Sequence, residues 1–325
     1  MTLDHELEQA KKLILSGGVV ALPTETVYGL AASIQSEEGI RKIFAIKERP
    51  FFDPLIVHID DLEQKEQVIS SWPPLADFLA ERFWPGPLTM VLPKHPNLNP
   101  LITAGLETVG IRMPAHPVAR ALIKKCEVPL AAPSANKFGK TSPTKAEHVR
   151  KGFEKEDIFI LDGGQSEVGL ESTVVAITEE NGKGIVTVLR PGAVTADLLE
   201  AALKERGLPF EVRRASSMAS PGNTENHYMP NIPLVIIRQN GPALKQSTRD
   251  EVCADFQFER NVQGAELRLD ANPRIAARSL YLRMRECSDS GATFIYVFRR
   301  KEQEGGIWDA IWDRLERASS RAYNA

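Results

Sequence analysis

Cysteine is scarce in this chain: three in 325 residues, at Cys126, Cys253 and Cys287. An odd number spread that widely supplies neither a disulfide framework nor a Cys-x-x-Cys metal knuckle, so the three read as small buried hydrophobes. Long apolar runs are also missing. Nothing approaches the ~18 residues that span a bilayer, and Met1 to Lys12 is polar and acidic, unlike a signal peptide. A reducing, cytoplasmic location is expected, with no membrane association. A basic excess is absent too, with 40 Lys and Arg against 43 Asp and Glu and a formal charge of −3. That balance argues against strong nonspecific binding of nucleic acid and leaves room for a local basic pocket. The usual phosphate and nucleophile signatures are not found: no Gly-x-x-x-x-Gly-Lys-Ser/Thr loop, no Gly-x-Gly-x-x-Gly turn, no Gly-x-Ser-x-Gly elbow, no His/Cys zinc spacing.

What is present fits a globular protein of two domains, with 42% apolar and 26% charged residues over 325 positions. Residues 1–210 alternate helical and extended patterns. Leu3, Leu7, Ala10 and Ile14 recur at helical spacing and stop at Gly17-Gly18. Val19–Leu22 reads as a short strand ended by Pro23. Ile40, Ile43 and Phe44 predict a helix ending at Pro50. Strands are expected at Leu55–Ile59, Leu88–Leu92, around Ile111–Met113, and at Leu130–Ala132, Ile158–Leu161, Thr173–Ile177 and Ile185–Leu189. Helices are expected at Leu75–Phe83 and Val118–Lys125. Thr144 and Glu147 form a capping box for another helix, and Thr195 caps a last one that runs to Arg206 before Gly207. The fold class is α/β (α+β), with a twisted, open, mixed sheet. Residues 211–232, rich in Ser, Pro, Gly and Asn, read as a linker or long loop. Residues 233–325 hold a strand at Leu234–Ile237, a helix at Ile275–Met284, a strand at Phe294–Phe298 and an amphipathic helix at Ile307–Ala318. They form a smaller C-terminal Rossmann-like α/β domain. Trp308 and Trp312, four apart on that last helix, are read as core residues.

Polar groups gather where strands meet loops, the usual place for ligands in α/β proteins. Pro23-Thr24-Glu25-Thr26-Val27-Tyr28-Gly29-Leu30 follows the first strand directly. Lys47 and Arg49 leave a helix toward a segment that carries Asp53 and ends at His58. They suit either the negative end of the helix dipole or an anion clamp. Arg112 lies in an apolar strand, where an unpaired charge is costly, so it meets solvent or an anion. Pro133-Ser134-Ala135-Asn136, followed by Ser142, lets a ligand approach the backbone closely. Glu171-Ser172-Thr173 and Arg190-Pro191-Gly192 repeat the theme. Such a set of cations, hydroxyls and amides stabilises charge and positions reactants without a covalent nucleophile.

These stretches, in this order, resemble the YrdC-domain family in its threonylcarbamoyl-AMP synthase form. Leu22–Leu30 is similar to the family's opening motif, and Lys47-x-Arg49 with Ser134-x-Asn136 to its signature pair. Pro54–His58, Trp84-Pro85-Gly86-Pro87-Leu88-Thr89, Gly110-Ile111-Arg112-Met113-Pro114, Glu171–Thr173 and Arg190–Gly192 follow in register. The likeness covers about residues 8–200. Ser220-Pro221-Gly222 with His227-Tyr228 and Pro230 resembles the linker of the long two-domain form, and Asp313-Arg314-Leu315 its last helix.

The resemblance implies synthesis of threonylcarbamoyl-AMP and pyrophosphate from L-threonine, bicarbonate and ATP, with magnesium. The product would pass to other proteins that modify adenosine in tRNA. It implies Lys47, Arg49, Ser134 and Asn136 as catalytic residues. Arg49, Asp53, Thr108, Ser134, Asn136, Ser142, Arg190 and Tyr228 would serve ATP, with Tyr228 closing over the nucleotide. Thr26, His58, Arg112 and Ser172 would hold threonine, Arg112 at its carboxylate. Metal ligands are left unassigned, and a monomer or weak dimer is expected. Two departures stand out. Asn223-Thr224-Glu225-Asn226 replaces the family's basic and aromatic linker residues, and Asp53 stands where an amide is common. An RNA-binding, translation-associated module without adenylation activity remains the alternative. The related carbamoyl-transfer domain of hydrogenase maturation needs cysteine-rich zinc segments that three scattered cysteines do not supply.

Overall fold

Alternation along the short strands places helices on both faces of the principal sheet. In β1 (Val20–Leu22) and β2 (Gly29–Ser33), Ala21, Leu30 and Ala32 join one core while Val20, Leu22 and Ala31 join another. Successive strand residues point to opposite faces, so a strand buried on both must be apolar throughout. The first core receives Ile40, Ile43 and Phe44 of α2 (Glu37–Lys47) and Leu75, Ala76 and Leu79 of α3 (Pro74–Phe83). The second receives Leu7, Ala10 and Ile14 of α1 (Leu3–Leu15) and Val118, Ala119, Leu122 and Ile123 of α5 (Pro117–Cys126). Cys126 and Cys253 are buried and unpaired, and Cys287 is half-buried and unpaired, in keeping with packing roles.

The computed structural model describes residues 2–207, 209–215, 227–238, 243–259 and 262–324. The chain divides into two units. One comprises Met1–Phe138 and Ser142–Asn223, and the other Gly139–Thr141 and Thr224–Ala325. The remaining elements of the first unit are β3 (Ile56–His58), β4 (Leu88–Pro93), α4 (Pro100–Thr103), β5 (Thr108–Arg112), β6 (Leu130–Ala131), α6 (Ala146–Gly152), β7 (Phe159–Ile160), β8 (Thr173–Glu180), β9 (Lys183–Arg190), α7 (Ala196–Arg206) and β10 (Phe210–Arg214). Among the described residues, its strands run in the order β10-β9-β8-β4-β5-β3-β6-β2-β1-β7. Parallel pairs such as β3–β5 and β4–β8 alternate with antiparallel pairs such as β4–β5 and β8–β9, giving the mixed sheet expected.

The second unit holds β11 (Leu234–Arg238), α8 (Gln246–Asp255), β12 (Gly264–Glu266), α9 (Pro273–Asp289), β13 (Phe294–Phe298), α10 (Ile307–Ala318) and β14 (Arg321–Asn324). Its sheet, ordered β12-β13-β11-β14, is parallel at every pairing. That is the Rossmann-like layer anticipated from the sequence. Trp308 and Trp312 are buried in it. Among the described residues, no helix is long and apolar enough to cross a membrane.

Several sequence expectations change. The opening motif is a turn plus the strand β2, which the run Gly-Leu-Ala-Ala-Ser disguised. Helix α2 stops at Lys47 rather than Pro50, because Glu48 turns left-handed at φ 53°. The N–H of Arg49 bonds Phe44 O at 2.9 Å and that of Glu48 bonds Ala45 O at 3.1 Å, a closure that satisfies the helix end. The capping box does not form: α6 begins after Lys145 without a side-chain cap, and Thr144 bonds the His148 ring instead. Thr195 does cap α7, and Gly207 ends it at φ 68°. Residues 211–214 of the supposed linker belong instead to β10, which pairs with β9. Helix α8 and strands β12 and β14, polar and short, carry too little periodicity to be read in advance.

Candidate active site

The closure of α2 sends its two cations to different partners. Lys47 is 1% exposed, and its ammonium donates to the carbonyls of Ser134 at 2.5 Å and Asn136 at 2.6 Å. Burial, with Arg49 nearby as a second cause, pushes its pKa well below the usual lysine value. The backbone reciprocates, since Phe138 N–H bonds Lys47 O at 2.7 Å. Arg49 donates instead to the carbonyls of Asp53 and Pro54, at 3.1 and 2.9 Å. Its Nη2 also lies 2.8 Å from Asp53 Oδ2, an ion pair almost removed from water. The signature pair is therefore one construction: a helix end whose lysine fixes the Ser134–Asn136 turn from behind.

The opening motif meets the same turn. Gly29 bridges Ser134, Ala135 N–H bonds Tyr28 O at 2.7 Å, and Leu30 N–H bonds Pro133 O at 2.8 Å. A Cβ on Gly29 would come within 3.3 Å of Ala132 Cβ, so the small residue suits this approach. Tyr28 stands behind the turn with its hydroxyl donating to Gly164 O at 2.8 Å, and burial pushes its pKa up to about 12. Thr24 accepts the N–H groups of Thr26 and Val27 at 3.2 Å each, which locks the loop.

That loop delivers Thr26 and Glu25 to Arg112, the last residue of β5. Arg112 is 3% exposed; it pairs with Glu25 Oε1 at 2.6 Å and donates to Thr26 Oγ1 at 3.0 Å. Glu25 Oε2 accepts the Ala115 N–H at 3.0 Å. The Arg112 Nε–H is buried without a hydrogen-bond partner among the described residues. His58 pairs with Arg112 in the β3–β5 register. Burial, then the Arg112 charge, pulls its pKa down to about 3, so the ring is neutral near pH 7. Its Nδ1 lies 3.2 Å from Ile56 O. A carbonyl only accepts, which assigns the proton to Nδ1 and leaves Nε2 as an acceptor.

A third cluster forms across β4, β8 and β9. Arg190 donates from Nε and Nη2 to Ser172 O, at 3.2 and 3.1 Å, and from Nη2 to Ser172 Oγ at 3.2 Å. Thr89 Oγ1 lies 2.8 Å from Ser172 Oγ, and Ser142 donates to Glu171 at 2.6 Å. A Cβ on Gly192 would stand 2.5 Å from Thr173 N, so Arg190-Pro191-Gly192 must pass close to this backbone.

The structure thus bonds Lys47 to Ser134 and Asn136, and Arg49, two residues on, to Asp53; it places Thr26 and His58 at Arg112, and gathers Ser142, Ser172 and Arg190 with Thr89 and Glu171. Thr108 is not among them. It opens β5, exposed, about 13 Å along the strand from Arg112. Tyr228 belongs to the second unit, 1% exposed at φ 65°, with its ring against His227, Tyr281 and Arg314. Residues 220–226, including the altered Asn223–Asn226 run, lie outside the described residues. Glu25 and Thr89 were not singled out from the sequence; for Thr89 the available signal was a polar side chain between the apolar strand residues Leu88 and Met90, and for Glu25, between two threonines in a loop, there was none.

This chemistry, on this mixed sheet, defines a class. The family model described as "Telomere recombination", that of Sua5, YciO and YrdC, matches residues 12–192, and the chain belongs to this family. A second model, "Threonylcarbamoyl-AMP synthase, C-terminal domain", matches residues 194–320. The threonylcarbamoyl-AMP synthase of Bacillus subtilis is 45% identical over 240 residues, covering 72% of this chain and 67% of that protein. That of Pyrococcus abyssi is 37% identical over 329 residues, covering 97% and 94%. The crystal structure of P. abyssi Sua5 complexed with L-threonine superposes with a TM-score of 0.85 at 35% identity, covering 98% of this chain and 96% of that one.

Proposed function

We propose that this chain is a threonylcarbamoyl-AMP synthase, converting L-threonine, bicarbonate and ATP into threonylcarbamoyl-AMP and pyrophosphate. The observation that carries this reading is the likeness, over nearly the whole chain, to a P. abyssi synthase whose structure holds L-threonine. Threonine and bicarbonate condense with loss of water to a carbamate, and a carbamate oxygen attacks the α-phosphorus of ATP. The bond to the β,γ-phosphates breaks and pyrophosphate leaves with the electron pair. No enzyme nucleophile is consumed, which suits a site of hydroxyls, amides and cations.

Arg112 receives the threonine carboxylate, whose oxygen satisfies the otherwise unpartnered Nε–H. Glu25 holds the guanidinium in place, and Thr26, Ser172 and the Nε2 acceptor of neutral His58 bond the amino acid's polar groups. Ser134 and Asn136 present the turn to the nucleotide, with Arg49, Ser142 and Arg190 offsetting triphosphate charge. Lys47 serves largely through the two carbonyls it fixes. Asp53 acts on the nucleotide through Arg49.

Among the described residues, no three His, Cys, Asp or Glu side chains form a metal cage. Magnesium would enter with the ATP phosphates and would offset triphosphate charge there. The enzyme would act in the cytoplasm and hand its product to a tRNA-modifying transferase. Omitting threonine, bicarbonate or ATP in turn while measuring pyrophosphate release tests the reading. Filter binding across a salt series tests the RNA-binding alternative, since phosphate-driven affinity falls steeply with salt.

A further inference from the structure

The second unit holds a cavity of about 310 Å³ that none of the chemistry above uses. It is lined by Glu266, Leu267, Arg268, Phe298, Arg300 and Gln303. Glu266 ends β12 and Phe298 ends β13, two neighbouring parallel strands. The cavity thus opens at the carboxyl ends of a parallel sheet, where open α/β folds take their ligands. Its volume lies at the lower end of the range for small-molecule sites.

Its polar wall has an unspent surplus of donors. Arg268 Nε bonds Glu266 Oε2 at 3.0 Å, so that carboxylate is already matched. Arg300 has no carboxylate partner among the described residues, whereas its neighbour Arg299 pairs with Glu316. Gln303 is 7% exposed. Its carbonyl oxygen accepts the Arg300 N–H at 3.1 Å, and its own N–H bonds Arg300 O at 3.2 Å. This fixes the side-chain amide so that its oxygen is occupied while its NH2 has no hydrogen-bond partner among the described residues. An exposed guanidinium with no carboxylate partner and an amide donor with no hydrogen-bond partner, both among the described residues and both lining one cavity, are the complement of an oxyanion.

From this we infer that the C-terminal unit binds a small phosphate-bearing anion between the carboxyl ends of β12 and β13, held by Arg300 and the Gln303 amide. The site is independent of the proposed synthase reaction, and either reading can fail without the other.

The test uses the full chain with labelled methyl groups, titrated with inorganic phosphate, then AMP, then acetate. Phosphate should shift the methyl signals of Leu267, and of Leu269, which also lines the cavity, saturably. Arg300→Ala should weaken that response about tenfold, the loss of one charged hydrogen-bonding partner. Its melting temperature and threonine-dependent pyrophosphate release should stay at wild-type values. A tighter response to AMP assigns the site to a nucleotide, and an equal or weaker one to free phosphate; both support it. If Arg300→Ala does not fold, Arg300→Lys, which keeps the charge but loses the planar fork, should show a smaller loss. No shift at these methyls, an unchanged response in the Arg300 variant, or an equal response to acetate overturns the inference.

Discussion

The ammonium of Lys47 sits 2.5 Å from the backbone carbonyl of Ser134, and the same group holds Asn136 O at 2.6 Å. A buried cation bonded to two carbonyls acts as a strut for the turn between them. Removing it leaves both acceptors without their donor, at about 1–3 kcal/mol for a lost buried partner. Lys47→Ala should therefore stay folded, lose about 2 kcal/mol in a denaturant melt, and release pyrophosphate about a hundredfold more slowly. Near-normal activity would contradict the assignment of Lys47.

Arg112 and Glu25 form an ion pair almost fully withdrawn from water, with side chains 4% and 6% exposed. Glu25→Gln strands the guanidinium and should cost about 3 kcal/mol of stability by the same melt. Arg112→Lys keeps a charge but loses the fork. Steady-state kinetics should show KM for threonine raised about tenfold or more, with KM for ATP little changed.

His58 gives a pH signature. Its folded pKa is about 3, below the ordinary 6.5, so between those values the unfolded chain binds the extra proton. Stability from this group is complete above about pH 6.5 and declines as pH falls toward the folded value. Thermal melts from pH 7 to 4 should show a steeper loss for the wild type than for His58→Gln. Parallel curves would show that His58 does not carry the effect.

Gly192 tests the third cluster by sterics alone. An added Cβ would stand 2.5 Å from Thr173 N and 2.8 Å from Thr173 Oγ1. Gly192→Ala should displace the backbone that carries Ser172, lowering both the melting temperature and the affinity for threonine. A variant that binds threonine normally in calorimetry would remove Ser172 from that site.

The two-layer core and the polar strand ends were legible because apolar alternation and motif order are local in sequence. Lys47 was legible as important but its partners were not. It bonds carbonyls 87 and 89 residues away, which no spacing rule reaches. The left-handed Glu48 that separates Lys47 from Arg49 was hidden for a related reason. Pro50 supplied an obvious helix stop, and a glutamate is an uncommon residue at a positive φ. Glu25 stayed out of the candidate site because its partner, Arg112, comes from another strand. The capping box was misread because Thr144 had a competing acceptor, the His148 ring one helical turn on.

The most direct test of the whole account is pyrophosphate release by the full chain with ATP and magnesium, leaving out threonine or bicarbonate in turn. Release is expected only when both are present, together with a threonine-containing adenylate detected by mass spectrometry. Release that continues without threonine would contradict it.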